Sequence, residues 1–371
     1  MSRDQACLLL VGLRLAACGE QGSGPCAGTG NPGSAEPVDA LGDSGPGADG
    51  TAPSSCLGGG PGLTNCGAAK ESCCTSLAVA GGTFYRKYTN SGCSPTGEAD
   101  PATVSTYRLD KYTVTVGRFR QFVTAWNAGW APAAGSGKHT HLNGGQGLAN
   151  NGPRSGFEPG WITTDSSNIS LTTANLTSCM GSNLSNDLKL YYYSCNTWTD
   201  TPSSQENLPM VCVNWYEAYA FCIWDGGFLP SEAEWEYAAA GGSQQREYPW
   251  GSTDPGLATR YAIHNCDYPM PSAVCTDASK IAPVGTAASG AGRWGHLDLA
   301  GNVWQWNLDL YANYYATCTD CVEFDLPLWP WREVRGGAFN SPSSLLLPTY
   351  SNPPPARDRL YDTGLRCART P

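Results

Sequence analysis

The sequence predicts one large, loop-rich domain in which helices and strands are mixed, carried behind a flexible N-terminal tether. Three observations predict it. Leu208 to Trp250 reads as strand, helix, tight link, helix and turn. Aromatic residues make up 11 % of the chain, beside 45 Gly and 27 Pro, which implies many turns around an aromatic core. Gly19 to Lys70 is rich in Gly, Ser, Ala, Pro and Asp, with almost no aromatic or β-branched residues, so it cannot bury enough apolar surface to fold alone. A length of 371 residues allows one large core plus extras.

The chain opens on a short apolar run, Ala6 to Leu13, followed by Leu15-Ala16-Ala17-Cys18. Small residues before a Cys resemble a bacterial lipoprotein signal over residues 1–18, with Cys18 as the lipidated residue. Asp4 and Arg14 depart from that pattern, and a plain secretory signal or a fortuitous apolar start are the alternatives. No later run of 18 or more apolar residues follows, so a lipid anchor is the only membrane attachment expected. The linker, residues 19–70, spans roughly 40 Å as a flexible coil. Cys26, Cys56 and Cys66 lie in it and could clip it locally.

The folded domain, residues 73–371, begins near Cys73. Gly81-Gly82 turns into a strand at Thr83-Phe84-Tyr85, and Val104, Tyr107 and Leu109 alternate with polar residues as a second extended stretch would. Thr115 caps a helix whose Val116, Phe119, Phe122, Val123 and Trp126 share one face. Residues 128–206 are loop-like. Within them His139 and His141, if on a strand, would point the same way and could share a metal, the alternative being a polar loop with hydrogen-bonded imidazoles. Cys179 and Cys195 bracket Tyr191-Tyr192-Tyr193 and either close that loop or pair elsewhere.

Val211 and Val213 alternate as a half-buried strand. Asn214 with Glu217, and Ser231 with Glu234, are capping boxes that open two helices, and Gly226-Gly227 and Gly241-Gly242 stop them. A Cys266–Cys275 bridge would close a short loop. Cys318 and Cys321 lack the strand-then-helix context of a redox C-x-x-C, so a local bridge or two separate bridges are expected.

Charge and cysteine content narrow the function. A net charge of -10 excludes nucleic acid as a partner and simple attraction to anionic lipid. An acidic surface suits cations such as calcium, or simply solubility. Seventeen cysteines read as disulfides in an exported protein, and no paired C-x-x-C with histidines spells a zinc site.

W-Y-E-A-Y-A-F-C-I-W (215–224), L-P-S-E-A-E-W-E-Y-A-A-A-G-G (229–242), G-H-L-D-L-A-G-N-V-W-Q-W (295–306), R-G-G-A-F (335–339) and G-L-R-C (364–367) resemble, together, the formylglycine-generating enzyme, or sulfatase-modifying factor, family. The matches run over roughly residues 78 to 370. The resemblance implies a single large α+β domain, related to C-type lectins and low in regular secondary structure. It implies a Cys222–Cys367 bridge, worth about 4 kcal/mol in the entropic account.

The well-studied members oxidise a sulfatase cysteine to formylglycine with copper held by two cysteines. Those positions match Ser341 and Leu346 here, and the family's active-site Ser matches Ala338. A hydroxyl and a methyl cannot replace two thiolates on soft copper(I), so copper is not expected. The resemblance also implies a structural calcium ion at Asp298, Gly301, Val303 and Gln305, where Gln305 replaces the family's Glu, and loosely a second set at Asn265, the Cys266 carbonyl and Asp277.

The expected function is an exported, lipid-anchored binding or structural module at the periplasmic face or cell surface. It would take a peptide, protein or glycan ligand through the Pro-rich loop 342–357 and the polar insert 128–206. The alternative is an oxidoreductase with a rearranged site, either formylglycine generation or iron-dependent sulfur chemistry. The iron ligands of relatives of that last kind lie in a separate helical domain with no counterpart here.

Overall fold

The structure is a computed structural model, and it describes residues 52–92, 94–179, 196–272, 275, 278–312, 316–325 and 331–371. The signal-type segment 1–18, the linker to residue 51, Tyr191-Tyr192-Tyr193, Cys195 and Asp277 lie outside the described residues.

Strand β1 (Ser76–Val79) pairs antiparallel with β4 (Tyr107–Asp110), and β4 pairs in turn with the C-terminal β11 (Ala368–Arg369). Strands β2 (Gly82–Thr89) and β3 (Thr96–Val104) form an antiparallel hairpin, extended by β7 (Cys318–Thr319). β5 (Ala149–Asn150) pairs with β8 (Cys321–Val322). β6 (Trp304–Leu310) lies between β9 (Arg332–Arg335) and β10 (Thr363–Leu365). The sheets are small and most of the chain is loop, so packing comes from aromatic side chains. The Val104 to Leu109 stretch is two strands, because the chain turns at Ser105-Thr106.

Helix α1 (Val116–Asn127) starts where Thr115 Oγ1 accepts the Arg118 N–H. Its Phe119 and Phe122 meet Phe221 of α3 (Trp215–Trp224), with ring centroids 5.6 and 5.7 Å apart. A short α2 (Thr173–Thr177) precedes α3. Both capping boxes form: Asn214 with Glu217 on α3, and Ser231 with Glu234 on α4 (Glu232–Ala240). Gly226 and Gly241 take the left-handed conformation at φ 78° and 68°, which ends each helix without strain. A second aromatic core packs Phe84, Tyr107 and Leu299 against Trp235 and Tyr237 of α4.

The expected strand at Val211 and Val213 does not form. Met210 donates to the Val114 carbonyl and Cys212 to the Leu360 carbonyl, so successive residues bond to different segments. Both valines and the Cys212 between them are fully buried, so their spacing marks enclosure on all sides rather than one half-buried face.

The packed region reaches further toward the N-terminus than residue 73. Ser55, placed in the linker by composition, is fully buried. Its N–H donates to Asp225 Oδ1 (2.7 Å) and its hydroxyl accepts from Arg118 Nε (2.9 Å). Arg118 also pairs with Asp110 (2.9 Å), and Arg369 with both Asp110 (3.0 Å) and Asp225 (2.6 Å). Bridges Cys56–Cys74 and Cys66–Cys73 fasten the segment. Cross-links and a buried ionic lattice supply the order that its composition does not.

Candidate functional site at the Arg335–Leu346 turn

The resemblance directs attention to the segment after β9. Gly336 (φ 103°) and Gly337 (φ 73°) reverse the chain, and a Cβ on Gly337 would stand 2.7 Å from a Leu346 methyl. The turn that follows is closed on itself. Ala338 N–H donates to Ser341 Oγ (3.0 Å), and Ser341 N–H donates to the Ala338 carbonyl (2.9 Å). Ala338 is fully buried, and Leu346 packs with Tyr248, Ala262 and Ala300. Asn265 donates to the Ser341 carbonyl (2.9 Å) and Cys266 to the Phe339 carbonyl (2.7 Å), which binds the 262–266 loop to the turn. Positions 338, 341 and 346 therefore belong to one small region, made of a hydroxyl fixed in a turn and an aliphatic side chain in an aromatic core.

Thiols are absent from it. Every cysteine among the described residues is in a disulfide: besides the two N-terminal bridges, Cys179–Cys212, Cys222–Cys367, Cys266–Cys275 and Cys318–Cys321. Cys179 thus pairs with Cys212, not with Cys195, because α2 brings it beside the extended residues before α3; the bridged Cys212 sulfur lies 3.8 Å from the Asn175 carbonyl at the same junction. Among the described residues, therefore, none offers this turn a thiolate, and the residues described there do not fit soft copper(I).

The calcium residues of the first set do come together, but with other partners. Asp298 Oδ2 accepts the Gly285 N–H (2.6 Å), and the Gly301 carbonyl accepts the Val303 N–H (2.9 Å). Gln305 Nε2 donates to the Asp298 carbonyl (2.7 Å), while its Oε1 accepts from Trp235 Nε1 (3.0 Å) and Arg366 Nε (2.9 Å). Calcium requires oxygens turned toward it; the Gln305 oxygen is taken by two donors and its N–H faces the loop, so this set does not fit the ion. In the second set, Asn265 (φ 49°) and Cys266 (φ 62°) form a left-handed turn, and Cys266 is bridged to Cys275. Among the described residues no group of three or more His, Cys, Asp or Glu is placed to hold a metal.

His139 and His141 do not lie on a strand. His139 is fully buried between two carboxylates, with Nδ1 3.0 Å from Glu158 and Nε2 3.1 Å from Glu234, and its ring rests on Phe228. Burial alone would lower its pKa; Glu158 and Glu234 outweigh that and push it up to about 10, so the ring is an imidazolium donating from both nitrogens. His141 lies with its ring centroid 6.2 Å away, and burial lowers its pKa. With both His139 nitrogens engaged, the two rings cannot share a metal.

Sequence reasoning missed a larger charged group. Glu232 and Glu236, one turn apart on α4, are fully buried and face Arg335, which pairs with Glu232 and stands 3.4 Å from Glu236. Arg86 of β2 approaches Glu232 at 3.6 Å, and Asp309 accepts the Glu232 N–H (2.7 Å). The available signal was E-A-E-W-E itself, three acids in five residues on a helix otherwise made of Ala and aromatics. The polar insert is tied to the chain just past the Pro-rich loop. Arg359, just past the Pro-rich loop, pairs with Glu217 and donates to Ser170 of the polar insert (3.3 Å) and to the Cys212 carbonyl (3.5 Å).

The family described as sulfatase-modifying factor enzyme 1-like domain matches residues 64–371. The formylglycine-generating enzyme of Thermomonospora curvata is 34 % identical over 189 residues, covering 47 % of this chain and 58 % of that protein. The inactive C-alpha-formylglycine-generating enzyme 2 of Bos taurus is 31 % identical over 160 residues, 43 % of this chain and 50 % of that one. The chain thus spans about half the length of these curated relatives. Among solved structures, PvdO from Pseudomonas aeruginosa is 18 % identical with a TM-score of 0.47, covering 85 % of this chain and 100 % of its own.

Proposed function

The chain belongs to the sulfatase-modifying factor enzyme 1-like family, and from that premise we propose that it is a member that binds rather than oxidises: an extracytoplasmic ligand-binding module without copper chemistry. The observation that carries the reading is the closed Ala338–Ser341 turn with Leu346 packed into an aromatic core, where the resemblance calls for two thiolates. Disulfides throughout the described residues suit an extracytoplasmic protein, and among those residues no helix is long and apolar enough to cross a membrane.

In this proposal the ligand is a peptide, protein or glycan. It is taken by the surface at the start of α3 where Arg359, just past the Pro-rich loop, reaches Ser170 of the polar insert. A lipidated Cys18 would hold the module at a membrane through the linker.

The test has two arms. Purified protein, prepared without chelator, is expected to contain no stoichiometric copper or iron and to leave a C-x-P-x-R peptide unchanged in mass. On arrays of glycans, peptides and periplasmic proteins it is expected to bind a ligand, with binding weakened at least tenfold by Arg359→Ala. Conversion of the peptide cysteine to an aldehyde would replace this reading with the oxidase one; silence across all the arrays would remove the binding module.

A further inference from the structure

The loop 297–305 runs between the two aromatic cores, and its polar interior is arranged around the Gln305 side chain. The amide orientation there is fixed by its neighbours. Trp235 Nε1–H and Arg366 Nε–H are both obligate donors, 3.0 and 2.9 Å from Oε1. Turning the amide over would set its NH2 group against both of them. The nitrogen must therefore point inward, where it donates to the Asp298 carbonyl at 2.7 Å. The Arg366 guanidinium is fully buried; its Nη2 donates to the Leu297 carbonyl (2.6 Å), and its Nη1 to the Asp110 and Lys111 carbonyls (both 2.7 Å). The Asp298 carboxylate, within reach of that positive charge, accepts from Gly285 N–H (2.6 Å). Inward-facing carbonyls of Leu297 and Asp298 and one carboxylate thus meet N–H donors and a fixed cation.

We propose that the Gln305 amide and the Arg366 guanidinium take the place of a divalent cation in this loop, so that it holds no calcium and needs none. A carboxylate at 305 would turn an oxygen, in place of the N–H, toward the Asp298 carbonyl and recruit a cation between them; the amide satisfies that carbonyl directly. The inference does not depend on whether the domain binds or oxidises.

Thermal melts of the full chain in excess EDTA and in millimolar calcium test it. The wild type is expected to shift by less than about 1 °C between the two. Gln305→Glu is expected to become calcium-dependent, melting several degrees lower in EDTA than in calcium. Asp277→Asn serves as the control for the second candidate set. A wild-type calcium shift abolished by Asp277→Asn leaves the proposal standing, because the ion then sits elsewhere. A wild-type shift that survives Asp277→Asn overturns it, and so does a folded Gln305→Glu variant with no calcium response. If that variant does not fold, the wild-type and Asp277→Asn melts alone decide.

Discussion

The Ser341 hydroxyl accepts the Ala338 N–H inside a buried turn, and removing it leaves that donor with no acceptor. Ser341→Ala is expected to lower the unfolding free energy by about 1–2 kcal/mol, read from urea denaturation midpoints. His139 is a stronger case. Replacing it with Gln brings the carboxylates of Glu158 and Glu234 together without the charge between them, at a cost of about 3–5 kcal/mol. The sign of the pH effect follows from its raised pKa. The stabilisation from the imidazolium is complete below the ordinary value of 6.5 and is lost as pH rises toward about 10. Denaturation across pH 6–10 should therefore show a decline in the wild type that His139→Gln flattens. The sequence displayed the two histidines but not this arrangement, because Glu158 lies 19 residues and Glu234 95 residues away from His139.

On α4 two acids one turn apart carry different roles. Burial raises the Glu236 carboxyl well above the ordinary range, and the neighbouring Glu232 charge adds to that against the pull of Arg335. Burial also opposes ionisation of Glu232, but Arg335 and Arg86 hold its carboxyl low. Glu236→Gln, nearly isosteric with the neutral acid, is expected to stay within about 1 kcal/mol of wild type. Glu232→Gln leaves two guanidinia without their counter-charge and is expected to cost about 3 kcal/mol or more in the same denaturation measurement. Helix α3 is tied to the last strand region by Cys222–Cys367 across a separation of 145 residues. Replacing both cysteines by Ala should remove roughly 4–5 kcal/mol in the entropic account, seen as a lower melting temperature. Elements with local signals were legible: the boxes at Asn214 and Ser231, the cap at Thr115 and the glycine stops depend on residues within four positions of each other. The Val211–Val213 stretch was not, because its hydrogen bonds go to Val114 and Leu360, and local spacing carries no record of distant partners.

For the molecule as a whole, the aromatic core and the loop-rich character followed from composition, and the residues of the candidate site followed from the resemblance. What the sequence did not reveal is the environment that makes the site what it is: a turn closed by its own hydroxyl, and a Gln whose orientation is dictated by Trp235 and Arg366 from two other segments. The misplaced linker boundary has the same origin, since the order of residues 54–70 comes from Arg118, Asp225 and two cross-links rather than from apolar content. That N-terminal fastening has a mechanical consequence. A tug on the segment ahead of Ser55 meets a covalent stop at once, because Cys56–Cys74 bridges a sequence separation of 18. Beside that bond, the Ser55 N–H holds Asp225, and Asp225 pairs with Arg118 on the first long helix and with Arg369 on the last strand. A pull entering at one extremity of the packed region thus meets a covalent cross-link and a buried ion-pair lattice that reaches the other extremity.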